Sequence, residues 1–230
     1  MELSPQEIDA IFLSIKVSIW SVVFSLLPAV YIAYVLSRKN FWGRQALNVL
    51  VHIPLILPPV VTGYFLLILF SRTGLIGRFL DTYFGITVAF HWFGAVLAAA
   101  IMSFPLMVRA FRLGFESVDP KLEVVAYSLG ANRFMIFLTI TLPLVIPALI
   151  TGAVLGFAKS MGEFGATITF VSNIPGQTQT VPSAIFEFLQ IPGNNFMTIR
   201  LVCLSLLISI VALYISEVLA GRLSGRGHSE

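Results

Sequence analysis

Lys159 and Glu163 stand four residues apart at the end of a long apolar run, in the stretch KSMGEFGATITFVS. On a helix that spacing sets opposite charges on one face, where they can pair. Charges at membrane depth are costly and turn toward protein or a water-filled cavity. Two uses stay open: a structural ion bridge, or the lining of an outer vestibule or gate. Gly162 and Gly165 flank the glutamate and leave room for a bend or a close backbone approach. Thr167, Thr169 and Ser172 then add hydroxyls at alternating or near-alternating positions. A hydroxyl can donate a hydrogen bond to a solute without trapping it by full charge. That suits a pathway, because tight binding slows release.

Bond-making chemistry has no comparable foothold. No G-x-x-x-x-G-K-[ST] phosphate loop, H-E-x-x-H or G-x-S-x-G occurs. His52 and His91 are each isolated from carboxylates in the sequence. Cys203 is the sole cysteine, which excludes an intrachain disulfide and a thiolate metal site. A membrane-embedded enzyme needs a cluster of acid, base or metal ligands. The reading is therefore a non-enzyme, with no metal and no cofactor held by this chain.

A second group of residues points to mechanics. In DPKLEVVAYSLGANRF, Asp119 can cap a helix and Pro120 suits its first turn. Leu122, Val125, Ala126 and Leu129 follow at i, i+3, i+4 and i+7, one apolar face on a short helix over 119–131. Gly130 ends or bends it, and a new helix starts near Asn132. Such a face fits a groove on another protein, or lies flat on a lipid surface.

The elements that position both groups follow from hydropathy. The chain is 57% hydrophobic and 11% charged, against roughly 25% charged in soluble domains; its mean hydropathy is +0.94. Its solvent is lipid, and in hydrocarbon the spans must be helices. Apolar runs long enough to cross cover 11–36, 47–70, 88–108, 134–158 and 196–220. The fold class is all-α: a polytopic bundle of five transmembrane helices in one domain, 1–230. Region 159–195 is interrupted by Pro175, Pro182 and Pro192 and reads as half-length or re-entrant elements. Ala148, Gly152, Gly156 and Ser160 form a ridge of small residues, suited to internal packing or to a subunit contact.

Basic residues fix the expected sidedness. Arg38, Lys39, Arg44, Arg109, Arg112, Lys121, Arg133, Arg222 and Arg226 lie on the side of loops one and three. That side should be the cytoplasm, with the N-terminus outside and the C-terminus inside. The helix over 119–131 is then cytoplasmic, between spans three and four. The acidic leader and long first apolar core argue against a cleavable signal, and the stretch after Ala220 is too short for an added regulatory domain. The net charge of +3 is scattered among loops, which excludes a nucleic-acid footprint.

These residues carry a resemblance. Ala126, Gly130, Ile140, Leu142 and Pro143 stand in register with the coupling motif of ABC-importer permeases, E-A-A, three residues, G, nine residues, I-x-L-P. The motif's glutamate position is Val124 and its first alanine Val125, with Glu123 one place early. The stretches KSMGEFGATITFVSNIPGQTQTVPSAIF, HIPLILPPVVTGY and MSFPLMVRAFRLGFESVD resemble molybdate importer permeases; sulfate and thiosulfate permeases carry a related Gly-Glu-aromatic-Gly element. The resemblance covers essentially the whole chain. It implies a permease subunit of an ATP-driven oxyanion importer in the cell inner membrane, working by alternating access, with molybdate as first candidate and sulfate or thiosulfate as alternative. It implies a second copy, two ATPase subunits that hold ATP and Mg, and a periplasmic oxyanion-binding protein as partners. Leu122, Glu123, Val125, Ala126, Leu129 and Gly130 become the ATPase-coupling residues; Lys159, Gly162, Glu163, Gly165, Thr167, Thr169 and Ser172 become pathway or gate. An ion-coupled secondary transporter or a membrane assembly factor remains as rival, but no internal repeat or cluster of intramembrane carboxylates supports the former.

Overall fold

The computed structural model describes residues 3–193 and 195–225. Arg226 of the tail and Asn194 of the short-helix region lie outside the described residues. Every regular element among the described residues is a helix. Helix α1 covers Pro5–Arg38, α2 Arg44–Ile56, α3 Pro59–Phe70, α4 Leu75–Phe84, α5 Trp92–Ser117 and α6 Pro120–Ser128. Then α7 (Arg133–Ile136), a π-helical turn (Phe137–Thr141) and α8 (Leu142–Met161) follow without a break. The short α9 (Gly165–Val171) and α10 (Val181–Leu189) lead to α11, Asn195–Gly225.

Four of these rods are long and apolar enough to cross a membrane: α1, α5, the α7–α8 rod and α11 up to Ile215. The expected span over 47–70 is not one straight helix. It is α2 and α3, bent by 108° at their junction. The cause is Pro58–Pro59. A proline disfavours the helical region for the residue before it. Leu57 and Pro58 accordingly sit extended, with ψ of 142° and 135°. At about 1.5 Å per residue, neither piece alone spans a hydrocarbon core of about 30 Å.

Other boundaries move for local reasons. Helix α1 starts at Pro5 rather than residue 11, because Ser4 and Glu7 form a reciprocal capping box. Helix α5 runs past residue 108 to Ser117, since Phe111 and Phe115 continue its buried face. The π turn sits where Pro143 lacks the N–H that would bond back to Thr139; the Leu142 N–H reaches Phe137 O instead. The loop expected between spans two and three contains α4, a short helix with Leu75, Phe79 and Tyr83 exposed.

The core is a seam between α1, α5 and α8. On α1 it is lined by Ser18, Ser21, Ser25, Ala29 and Ala33, all buried; nearer the start of α1, Ala10 packs with Val181 and Leu201, and Ser14 Oγ accepts the Val181 N–H at 2.7 Å. Ser21 Oγ and Ser160 Oγ share a hydrogen bond of 2.8 Å across the α1–α8 contact. The small-residue ridge of α8 is spent on this internal packing. A Cβ on Gly152 would lie 2.5 Å from the Phe111 ring, and one on Gly156 2.7 Å from Met107 Sδ. Lys16 Nζ stands 3.7 Å above the Trp92 ring at the start of α5, a cation–π contact.

Gly152→Ala should force α8 off α5, for about 1–3 kcal/mol of overpacking. Gly162→Ala should be silent, as the nearest atom an added Cβ would meet lies at 3.9 Å. Thermal melting of the detergent-purified chain checks both; equal curves for the two variants would show that the seam yields.

Candidate functional site

Helix α6 is built to stand proud. Asp119 Oδ1 accepts the Lys121 N–H at 2.9 Å and caps it. At its other end Gly130 takes φ +88°, where a side chain is disfavoured. This lets Ala131 N–H close back to Ala126 O at 3.1 Å. Asn132 then caps the next helix, its Oδ1 accepting from Met135 N–H at 2.8 Å. The corner is tight, so α6 is fixed to the base of the α7–α8 rod.

No residue of α6 is buried. Leu122, Val125 and Leu129 are exposed, as the apolar pattern predicts, and Leu129 is 83% exposed. Two of the proposed coupling residues point elsewhere. Glu123 and Ala126 lie on the half-buried side. Glu123 Oε1 forms an ion pair with Arg38 Nη2 at 3.1 Å and accepts from the Thr141 hydroxyl at 3.0 Å. Arg38 also donates to Val118 O at 2.9 Å. Glu123 is thus a positioning residue that ties α6 to the end of α1 and to the π turn. Beside the tie, Tyr34 meets Phe115 and Phe137 edge-on at 5.6 and 5.3 Å. Sequence spacing carried no signal for this tie, since Arg38 and Glu123 belong to helices far apart in the chain.

The second group lies at the far end of α8. Lys159 Nζ reaches Glu163 Oε2 at 2.6 Å. Glu163 Oε1 also accepts the Ala166 N–H at 3.1 Å, so the same carboxylate caps α9. Glu163 is buried, and Lys159 is partly open. Gly165 seats α9 on the α2–α3 break, where an added Cβ would stand 2.8 Å from Pro59 Cβ. Gly162 closes α8 in open space. The hydroxyls of Thr167 and Thr169 donate to the carbonyls of Phe164 and Gly165, at 2.9 and 2.8 Å. In this conformation they offer a solute acceptor lone pairs rather than donors. Ser172 stands apart at the end of α9, exposed, at φ +65° and ψ −165°. That region is sparsely populated for any residue but glycine.

A polar network beyond α9 was not anticipated. Glu187 Oε2 accepts from Asn173 and Gln179, both at 2.6 Å. Gln179 in turn accepts from Gln6 at 3.0 Å. Arg200 Nε donates to Glu7 Oε1 at 2.8 Å, and its second nitrogen to Glu7 Oε2. These bonds bind the SNIPGQTQT loop and the head of α11 to the start of α1. The density of amides in that loop was the available hint.

Removing Lys159 strands a buried carboxylate, so Lys159→Ala should cost about 1–3 kcal/mol after allowing for the lysine's partial exposure. Glu163→Gln should cost less, because a glutamine oxygen can still accept the Ala166 N–H. Melting of the two variants in detergent tests the order; a more stable Lys159→Ala would show that the pair is not a structural bridge.

Residues 21–225 match the family model described as "Binding-protein-dependent transport system inner membrane component". The chain is 54% identical over 220 residues to the molybdenum transport system permease protein ModB of Escherichia coli (strain K12), covering 96% of each chain. It is 50% identical over 217 residues to the protein of the same name from Haemophilus influenzae, covering 94% of this chain and 95% of that one. In fold it is similar to a chain of a bacterial alginate ABC transporter solved in complex with an alginate pentasaccharide-bound periplasmic protein. The TM-score is 0.76 at 17% identity, over 96% of this chain and 80% of that chain. With an exposed helix at one end of an α7–α8 rod and a buried charge pair at the other, this chain belongs to the family of binding-protein-dependent transport system inner membrane components.

Proposed function

We propose that this chain is the permease subunit of an ATP-driven importer for a tetrahedral oxyanion, molybdate, in the cell inner membrane. The observation that carries the mechanism is α6: a capped helix with no buried residue that turns Leu122, Val125 and Leu129 outward. The substrate class rests on the two molybdenum permease relatives, each matched over more than nine-tenths of its length.

Five crossings are counted with α2 and α3 as one broken span. The N-terminus lies outside and α6 in the cytoplasm, in keeping with the placement of the basic residues. Leu122, Val125 and Leu129 enter a cleft on a separate ATPase subunit, which holds ATP and Mg; Glu123, Ala126 and Gly130 hold the helix at its angle. Movement of α6 reaches the membrane by two routes. One is the Glu123–Arg38 tie to α1. The other is the Gly130 corner into the Arg133–Met161 rod of 29 residues, whose far end carries Lys159 and Glu163. ATP can drive this only by binding one orientation of the helices better than the other.

Lys159, Gly162, Glu163, Gly165, Thr167, Thr169 and Ser172 form the gate region. Glu163 fixes its hinge, and Ser172 marks the strained turn where the path can widen. A second copy completes the pathway, since five crossings hardly enclose a solvated dianion. Its seat is the apolar groove between α8, α10 and α11, lined by Met161, Phe164, Phe186, Leu189 and Leu206. A periplasmic binding protein delivers the oxyanion and sets most of the selectivity.

The triple variant L122S/V125S/L129S should insert normally yet lose ATP-driven molybdate uptake at least about tenfold, consistent with a groove-docked apolar face. Uptake of labelled molybdate into proteoliposomes that carry the permease, ATPase and binding protein reads this. Normal uptake by the triple variant would refute the coupling assignment. Competition by sulfate as strong as by unlabelled molybdate would refute the substrate assignment.

A further inference from the structure

A groove of about 530 Å³ opens where α1 ends, between α1, α6 and the base of the α7–α8 rod. Arg38, Lys39 and Arg133 line it, and Glu123 is its one acidic lining residue. That carboxylate is already taken by Arg38. Lys39 and Arg133 form no ion pair among the described residues, and both are exposed. Arg38 Nε is buried without a hydrogen-bond partner, so the guanidinium keeps a donor unspent. The groove therefore holds an excess of positive charge that no described residue neutralises. Of the coupling residues only Glu123 lines the groove, and Leu122, Val125 and Leu129 face away from it.

The walls argue for an amphipathic occupant. Tyr34 and Phe137 close one side with rings 5.3 Å apart. The same two rods expose apolar side chains next to the basic rim: Tyr31 one turn back along α1, and Phe134 and Leu138 beside Arg133 and Phe137. A free oxyanion would use the cations and leave this flank without a purpose. A lipid uses both, since basic pockets between helices at a membrane surface suit anionic headgroups.

We propose that this groove seats the phosphodiester headgroup of an anionic phospholipid. Lys39 and Arg133 pair with the phosphate, and the acyl chains run along Tyr31, Phe134 and Leu138. The lipid bridges the end of α1 to the base of α7 and so braces the corner from which α6 projects. Assignment to the cytoplasmic leaflet rests on the orientation proposed above; the site itself does not.

Native mass spectrometry of the delipidated full-length chain, titrated with phosphatidylglycerol or phosphatidylcholine, tests the site. The wild type should prefer phosphatidylglycerol roughly tenfold, and K39Q/R133Q should bring that ratio to within about twofold. R72Q/R78Q removes equal charge elsewhere and should keep the wild-type ratio. A ratio taken within each variant is insensitive to partial loss of folded protein, and the single variants K39Q and R133Q should each fall between. A wild-type preference in K39Q/R133Q overturns the proposal. So does displacement of phosphatidylglycerol by millimolar inorganic phosphate or molybdate, which would assign the groove to a free oxyanion. Independently, Lys39→Cys in a Cys203→Ala background should react with an impermeant maleimide in inverted vesicles only. Reaction in right-side-out vesicles alone would overturn the orientation, while the lipid ratio measured in detergent would still judge the site.

Discussion

Lipid gives helices no hydrophobic reason to associate, so this bundle must be held by close approach. The α1–α5–α8 seam meets that constraint with alanine, serine and glycine where the backbones draw near. Gly152 lies under the Phe111 ring and Gly156 under Met107. Dispersion contacts of this kind are individually tiny and need tight packing to add up. A seam so close leaves little slack along its length. That stiffness lets one rod, Arg133–Met161, carry the α6 corner at its base and the Lys159–Glu163 pair at its far end. Both sites inherit their positions from it.

Bends and irregular turns are concentrated at prolines instead. Pro58 and Pro59 turn an apolar run of spanning length into two short helices at 108°. The bend provides the corner against which Gly165 packs α9, through Pro59. Pro143 widens one turn of the rod into a π turn, and Thr141 at the end of that turn donates to Glu123. The break in regular helix thus falls where α6 is tied to the bundle. Backbone irregularity at membrane depth is tolerated only where neighbouring groups take up the freed hydrogen bonds or protein covers it.

Charge is used sparingly and mostly for anchoring. Glu7 with Arg200, Glu123 with Arg38 and Glu163 with Lys159 each join a helix end to something else. A lone carboxylate in such places would be expensive, whereas a paired one sets register and angle. The hydroxyls follow the same economy, as Thr167 and Thr169 satisfy their own helix first.

Much of this was legible in the chain because hydropathy and capping are local. Runs of apolar residues announced α1, α5, the α7–α8 rod and α11, and Asp119, Pro120, Gly130 and Asn132 announced the projecting helix and its corner. The i, i+4 spacing of Lys159 and Glu163 announced their pair. What the chain did not disclose depends on neighbours distant in sequence. The inward turn of Glu123 required Arg38 and Thr141 to arrive from other helices, and the burial of the α8 ridge required Phe111 and Met107. The angle at Pro58–Pro59 is a property of two helices rather than of a composition. Periodicity tells which residues share a face of one helix; which face meets which partner is decided only when the helices pack, because in lipid an apolar face is equally content against hydrocarbon.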